Sequence, residues 1–461
     1  MNPAIFREYD IRGLVGPDLD AEVVRVIAQA FGTRLVRAGG RSCALGRDVR
    51  HSSAPFADAV AEGLAATGLR VLDCGEVPTP VLYFGILELE ADGGIMITGS
   101  HNPIDYNGLK ICQGTLALSG DEIQDIRRIA EAGDFATGDG SRETVDVVPA
   151  YRSQLLARFS LKSKPLVAVD CGNGVAGPLV VSILEAAGCR LEALYCDPDG
   201  SFPNHLPDPE VPEYMRDLVA EVEKKQAAVG FGFDGDGDRL GVIDATGTKI
   251  SADWLIAVFA RDLLSRHPGG VIRYDVKCGD FLADDVRAHG GEPVMGRTGH
   301  SILKKDIKAL NAVLGGELSG HIVFGREYHL IDDPIYCALK ILSLMEQKNV
   351  SCRGLFEGIP ETFATAEIKA PTPDDQKFRI VAELVEAFRA AGYDVIDIDG
   401  ARVPVPEAQG WGLVRASNTT ANLTLRFESR TREGLAQVRA IFVEQLARHP
   451  AIDLGRLRGA L

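Results

Sequence analysis

At 461 residues, with 46% hydrophobic and 25% charged side chains, the chain is an ordinary globular composition too long for one core, and three or four domains are expected. A formal charge of −16 argues against a general binder of nucleic acid or anionic membrane, but leaves room for a local basic cleft that takes a small anion. Apolar runs such as LVAVD and DWLIAVFA fall well short of the roughly 20 residues that cross a bilayer.

The opening MNPAIFREYDIRG carries acids where a secretory signal has its apolar core, so no export is expected. The nine cysteines contain no C-x-x-C pair, and Cys43, Cys74, Cys112, Cys171 and Cys278 fall on or beside apolar segments, as buried free thiols do. A reduced, cytoplasmic setting fits that usage.

Along the chain, one pattern comes three times. CALGRDVRHSS, FADAVAEGLAATG and LRVLDCGE read as strand, helix and strand. PLVAVDCGNGVAG, PLVVSILEAAG and CRLEALYCD repeat the order, as do GGVIRYDVKCGD, FLADDVRAHGG and EPVMGRTGH. Each is a βαβ unit with a glycine closing its helix, which predicts mostly parallel sheet. Uneven spacing makes them three separate modules and not a solenoid.

The acidic, Gly-rich stretch 131–149 reads as a linker, and 244–254 separates the second module from the third. Beyond that, KFRIVAELVEAFRAAG reads as a helix, DVIDIDGARVPV, GWGLVRASN and ANLTLRFES as strands, and REGLAQVRAIFVEQLARH as a last helix. Hairpin-joined strands with helices to one side predict a smaller α+β domain. The expected boundaries are 1–146, 147–249, 250–363 and 364–461.

GFDGDGDRLGVID (232–244) is the sharpest metal signal. Period-two spacing in extended chain would turn Asp234, Asp236 and Asp238 to one side, and three packed carboxylates repel unless a cation neutralises them. Oxygen-only ligands favour Mg²⁺, Mn²⁺ or Ca²⁺ over zinc. An EF-hand is excluded because its twelfth position, 245, is Ala and not Glu; an acidic solvated turn is the plain alternative.

DCGNGVAG supplies Gly172, Gly174 and Gly177 in G-x-G-x-x-G spacing, with Asp197 about 20 residues on, as a dinucleotide fold would. The tight strand-to-helix turn of one module among three explains those glycines without a cofactor, and Pro178 is a good opening residue for the helix regardless of ligand.

GGELSGHIVF sets Glu317, Ser319 and His321 at period two, facing one way if extended, to meet a polyhydroxylated ligand or to form a structural hydrogen-bond cluster. His300, in RTGHS, is a candidate proton shuttle or phosphate contact. VRASNTTANLTLRFE offers Arg415, Ser417, Asn418, Thr419 and Thr420, either a nest for an unreacting phosphate or a polar turn. In ITGSHNPIDYNGLKI, Ser100 follows an apolar strand, but Asn102 breaks the G-x-S-x-G hydrolase elbow. A serine together with a three-carboxylate loop suggests phosphate chemistry instead.

TGSHNPIDYNGLK, GFDGDGDR, GELSGH and RASNTT, in that order, resemble the four active-site loops of the α-D-phosphohexomutases, and within them the bacterial phosphomannomutase/phosphoglucomutase group. FREYDIRG, VKC and TGHS match further family segments, so the likeness runs from residue 6 to about 428. The resemblance implies an α/β protein of four domains, three related mixed-sheet modules plus a C-terminal α+β domain, around a central cleft.

It further implies reversible interconversion of hexose 1-phosphate and hexose 6-phosphate, of mannose or glucose, through a phosphoserine at Ser100 and a hexose 1,6-bisphosphate intermediate. One Mg²⁺ per chain would be held by Asp234, Asp236, Asp238 and phosphoserine. Lys110 and His300 would be acid/base candidates, and His101 and Arg239 would lie by the reacting phosphate. Glu317 and Ser319 would hold sugar hydroxyls with His321 in support, Arg415, Ser417, Asn418 and Thr419 the distal phosphate, and Tyr9, Arg12 and Lys277 would line the cleft.

Ala421, where the family often has Pro, and Pro334, where a small residue is common, depart from the pattern. TGSHNP with GELSGH favours glucose and mannose substrates over a phosphoglucosamine mutase. The other alternative, an inactive phosphosugar-binding protein, would require loss of Ser100 or an aspartate, and all are present. The expected partner is a small phosphosugar, with no nucleic acid or membrane, in a monomer or weak homo-oligomer.

Overall fold

A computed structural model describes residues 1–418 and 420–455 of the chain. These divide into two compact units, each made of two chain segments: 1–272 with 299–357, and 273–298 with 358–461.

In the first unit a seven-stranded mixed sheet runs Ile11–Leu14, Tyr106–Gln113, Gly93–Ile97, Ser42–Arg47, Arg70–Glu76 and Ser141–Thr144, with Leu116–Ala117 alongside Tyr106–Gln113. Ser42–Arg47 pairs in parallel with both its neighbours, as a βαβ reading requires. The other end is antiparallel: Tyr106–Gln113 runs against Gly93–Ile97 and Ile11–Leu14. The stretch expected to be a pure linker contributes an edge strand, Ser141–Thr144, parallel to Arg70–Glu76. Its four exposed side chains explain why no apolar pattern announced it.

Ala21–Arg37, begun by the Asp20 side chain accepting from Val23 N at 2.8 Å, packs against Ser53–Ala65 and Asp121–Ala132 over one core. Thr79–Glu88 is apolar almost all round and is accordingly buried from Thr79 to Ile86.

The second sheet of this unit runs Lys249–Ile250, Leu240–Asp244, Val229–Phe233, Leu166–Asp170 and Arg190–Leu194. Here too the βαβ strands are parallel and the far end is an antiparallel hairpin, Val229–Phe233 against Leu240–Asp244. A third hairpin pairs Leu314–Gly316 with Ile322–Phe324, flanked in sequence by the helices His300–Leu310 and Pro334–Lys348. Pro334 sits at the first turn of its helix behind the Asp333 cap, where its missing N–H costs nothing.

The second unit contains the helix Phe281–Ala288, the strand Glu292–Gly296, and a five-stranded sheet ordered Phe363–Ala364, Asn422–Ser429, Gly410–Ala416 and Ala401–Val405, with Ile368–Pro371 also on Asn422–Ser429. All its pairs are antiparallel, and Asp374–Ala390 and Arg432–Leu446 share its core, the expected α+β layout. Of the segment DVIDIDGARVPV only Ala401–Val405 is strand.

Candidate active site

All four signature stretches are loops of antiparallel hairpins. Residues 98–105 join Gly93–Ile97 to Tyr106–Gln113, 234–239 join Val229–Phe233 to Leu240–Asp244, 317–321 join Leu314–Gly316 to Ile322–Phe324, and 417–421 join Gly410–Ala416 to Asn422–Ser429. The first three belong to the first unit and the fourth to the second.

Ser100 is 2% exposed and has φ +49°, a left-handed conformation that non-glycine residues seldom adopt. It is held there from several sides. Its N–H donates to Thr98 Oγ1 at 2.7 Å, and Thr98 Oγ1 in turn donates to Asp48 at 2.7 Å. The buried Arg50 guanidinium donates to the carbonyls of Ser100, Asn102, Pro103 and Tyr106 at 2.6–3.0 Å. Neither Asp48 nor Arg50 stands out in the sequence; the only trace is that both are among the three charged residues of GRDVRHSS, at the end of an apolar strand. Ser100 Oγ reaches His101 Nδ1 at 3.0 Å and Asp234 Oδ2 at 3.1 Å.

The aspartate loop is a tight turn and not extended chain, so its three carboxylates converge by a different route from period-two alternation. Gly237 N–H bonds back to the Asp234 carbonyl at 3.0 Å, and Asp238 N–H and Arg239 N–H bond to Asp234 Oδ1 at 2.9 and 3.1 Å. Gly237 has φ +67°, and a Cβ on Gly235 would lie 2.6 Å from the Ser100 carbonyl, so glycine lets this loop lie against the serine loop. Carboxylate oxygens of Asp234, Asp236 and Asp238 all lie within 4.8 Å of one another, and all three residues are buried.

Lys110 Nζ donates to Asp236 at 2.6 Å and to Asp238, and Thr79 Oγ1 donates to Asp236 at 2.6 Å. Burial opposes the charge on Lys110, but Asp236, Asp238 and Asp234 outweigh it and push its pKa above the ordinary lysine range. Burial, then repulsion from Asp238 and Asp236, pushes the Asp234 carboxyl well above its usual range. Asp236 is lowered, since Lys110 and the Thr79 hydrogen bond overcome burial and Asp238. Asp236 Oδ1 and Asp238 Oδ1 are buried without a hydrogen-bond partner. Orphaned oxygens in an oxygen-only cluster fit a hard divalent cation, whose charge would hold all three aspartates ionised.

The 317–321 loop is also a turn, closed by Glu317 N–H to the His321 carbonyl at 2.9 Å, so its three side chains do not face one way. Glu317 accepts from Gly299 N–H at 2.6 Å and from Ser319 Oγ at 3.1 Å. His321 turns instead to Arg239, whose Nε–H donates to its Nε2 at 3.0 Å, and to Asp332 at 3.2 Å. His300 stacks on His321 with ring centroids 5.5 Å apart, and its buried Nδ1 has no hydrogen-bond partner. Burial, with help from the Lys110 charge, drives the His300 pKa well below its usual value. Arg12 is buried in an ion pair with Asp10 at 2.6 Å, and the Tyr9 ring lies where a Cβ on Gly299 would stand.

In the second unit Lys277 Nζ meets Glu367 at 2.6 Å and Asp275 at 3.8 Å. Arg415 Nε donates to Asp399 at 3.0 Å, and the same carboxylate oxygen accepts from Thr298 N–H at 3.1 Å. Ser417 Oγ lies 2.9 Å from Thr420 Oγ1, and Asn418 is half-buried beside it. Thr419 lies outside the described residues. The G-x-G-x-x-G turn packs on the aspartate loop, Val175 N–H donating to the Gly235 carbonyl at 3.1 Å, which accounts for its small residues through close backbone approach.

A serine hydroxyl among convergent carboxylates, a lysine and an arginine is a phosphoryl-transfer arrangement. Comparison with known proteins agrees. The phosphoglucomutase/phosphomannomutase alpha/beta/alpha domains I, II and III match residues 3–137, 149–247 and 251–363, and the C-terminal domain of that family matches 367–445. The Pseudomonas aeruginosa phosphomannomutase/phosphoglucomutase is 44% identical over 96% of this chain and 95% of its own. A Neisseria gonorrhoeae phosphoglucomutase is 37% identical over 97% of each. The crystal structure of a Burkholderia thailandensis phosphoglucomutase/phosphomannomutase family protein superposes with a TM-score of 0.91, at 39% identity, over 98% of this chain and 100% of that one.

The chain therefore belongs to the α-D-phosphohexomutases, in the phosphoglucomutase/phosphomannomutase family, and has its four-domain α/β architecture with mixed sheets. It is a mutase, an enzyme of the isomerase class. Among the described residues no helix is long and apolar enough to cross a membrane.

Proposed function

We propose that this mutase interconverts the 1- and 6-phosphates of mannose and glucose, with Ser100 as the residue that carries the phosphoryl group. The observation that carries the reading is the Ser100 hydroxyl, forced into a left-handed turn and set 3.1 Å from one of three convergent carboxylates. In the first half-reaction the phosphoserine P–O bond breaks as a sugar hydroxyl oxygen, giving up its proton, bonds to phosphorus to form a hexose 1,6-bisphosphate. In the second, Ser100 Oγ bonds to the phosphorus of the other phosphate, the bond from that phosphorus to the sugar oxygen breaks, and the sugar oxygen takes a proton back.

Asp234, Asp236 and Asp238 would hold Mg²⁺ with an oxygen of the phosphoserine, and the ion would neutralise charge on the transferring group. Lys110, held as a cation between two carboxylates, supplies positive charge at the same place, with Arg239 Nε 4.0 Å from Asp234 and His101 Nδ1 3.0 Å from the Ser100 hydroxyl. His300, with an uncharged imidazole and an unpartnered Nδ1, is suited to take the hydroxyl proton. Glu317 and Ser319 would bind sugar hydroxyls with His321 in support, Arg415, Ser417, Asn418 and Thr419 the unreacting phosphate, and Tyr9, Arg12 and Lys277 the remainder of the substrate.

A mutase assay on mannose, glucose and glucosamine 1-phosphates, with bisphosphate activator and Mg²⁺, tests this. Turnover of the first two that vanishes in Ser100→Ala is expected. Near-normal activity of Ser100→Ala would overturn the mechanism, and a preference for the glucosamine phosphate would overturn the substrate.

A further inference from the structure

Two residues that no signature motif contains lie directly behind His321. Asp332 and Lys304 are both fully buried and form an ion pair, Lys304 Nζ lying 2.6 Å from Asp332 Oδ1 without hydrogen-bond geometry and 3.8 Å from the centroid of the Tyr83 ring. The other carboxylate oxygen, Asp332 Oδ2, lies 3.2 Å from His321 Nδ1. On the far side of the imidazole, Nε2 lies 3.0 Å from Arg239 Nε. The four side chains thus form one row, Lys304, Asp332, His321 and Arg239, which ends with the Arg239 guanidinium, its Nε 4.0 Å from Asp234 Oδ2.

Donor and acceptor chemistry leaves one arrangement for this row. A guanidinium only donates, so His321 Nε2 must present its lone pair to Arg239. An ionised carboxylate only accepts, so His321 Nδ1 must carry the proton. Lys304 Nζ, 2.6 Å from the carboxylate in a fully buried site, supplies the counter-charge that an ionised Asp332 needs there. We infer that Asp332, charge-balanced by Lys304, is a positioning residue of this mutase: it holds His321 as the Nδ1–H tautomer and so makes Nε2 the acceptor that anchors the Arg239 guanidinium beside the aspartate loop.

An uncharged, isosteric replacement at 332 has a specific consequence. In Asp332→Asn the Lys304 ammonium, which can only donate, claims the amide oxygen. The amide NH₂ is then turned to His321 Nδ1, which must become the acceptor. The ring proton moves to Nε2 and meets the Arg239 Nε–H head-on, so Arg239 loses its anchor. Removing the lysine as well reverses this: in Lys304→Met/Asp332→Asn the amide is free to turn its oxygen to Nδ1 again.

The inference rests on the mutase reading for its kinetic part alone, and the test separates the two. ¹⁵N shifts of the His321 ring, assigned by comparison with His321→Gln, distinguish a protonated ring nitrogen from one with a lone pair. In the wild-type protein a protonated Nδ1 is expected; a protonated Nε2 overturns the inference whether or not the enzyme turns over and whether or not any variant folds. In Asp332→Asn the protonated nitrogen should switch to Nε2, with kcat falling about 100-fold and KM changing by less than about 3-fold, a loss of the size seen when a group behind a functional side chain is removed.

In the double variant the Nδ1–H signal should return and kcat recover about 10-fold over Asp332→Asn, the same scale in reverse. A merely structural role predicts further loss on removing a second buried group, not recovery. A single variant that keeps Nδ1–H, or a double variant less active than the single, sinks the inference. Should the wild type lack mutase turnover while the ring shifts behave as stated, the substrate reading falls and the tautomer assignment stands.

Discussion

Ser100 keeps a left-handed backbone that costs of order 1–3 kcal/mol for a non-glycine residue, and such a conformation persists only where its surroundings over-determine it. Asp48, Thr98 and Arg50 do so, and Arg50 does most, with four carbonyls of one loop on one guanidinium. Arg50→Met should leave those carbonyls without their donor and Asp48 without its charge partner, destabilising the protein by about 3 kcal/mol in urea denaturation. A loss below about 0.5 kcal/mol, the size of an ordinary surface change, would show that the loop holds itself. At the aspartate cluster proposed to hold Mg²⁺, Asp236→Asn should weaken the Mg²⁺ dependence and the rate together in a metal titration, and an unchanged titration would remove that loop from the site.

At the scale of elements, the four signature stretches are hairpin loops, and what brings two of them together is the absence of a side chain. Gly235→Ala would put a Cβ 2.6 Å from the Ser100 carbonyl, a distance that a backbone atom cannot yield cheaply. The aspartate loop must then move off the serine loop, and calorimetric titration should find Mg²⁺ binding weaker by about 10-fold; unaltered binding would mean that the contact is not needed.

A second element-level effect concerns Glu367, at the start of Ile368–Pro371. Burial raises its pKa, but the charge and hydrogen bond of Lys277, with Arg415 and Lys369, bring it down to about 2 from an ordinary 4.5. A carboxyl depressed on folding stabilises the fold above its unfolded pKa and loses that contribution as pH falls through the folded value. Urea midpoints should therefore drop between about pH 4.5 and pH 2, and Glu367→Gln should flatten that part of the profile. An equal slope in the variant would place the acid sensitivity elsewhere.

For the whole molecule, the chain order and the compact units do not coincide: 273–298 packs with 358–461. Val276 and Met295 complete a small core around Trp411 and Leu413, and Arg402, which stacks on Trp411 with its guanidinium 3.5 Å from the ring centroid, donates to the Val276 carbonyl and to Asp280. A fragment beginning at 358 lacks Val276, Asp280 and Met295, keeps Arg402 and Leu413, and retains Trp411 as its sole tryptophan. Its emission should be red-shifted against the Trp411 signal of a full-length Trp254→Phe protein. Native-like emission from the fragment would show that 273–298 is dispensable to that core.

The elements and the chemistry were legible along the chain because both are local. Helix caps, glycine stops and apolar runs depend on neighbours a few residues away, and four polar loops with unusual residue types are visible wherever they lie. Even the convergence of Asp234, Asp236 and Asp238 was anticipated, although the reason is a six-residue turn and not an extended strand. Ser141–Thr144 was hidden because an exposed edge strand carries no periodic apolar signal. Asp48, Arg50, Thr79, Lys304 and Asp332 were hidden for a related reason. Each is an ordinary charged or hydroxyl residue in the sequence, and becomes significant through burial and through a partner that in most cases lies tens of residues away. Whether such a group is solvated or holds a loop, a tautomer or a carboxylate in place depends on desolvation and on distances between segments, and those exist only once the chain has folded.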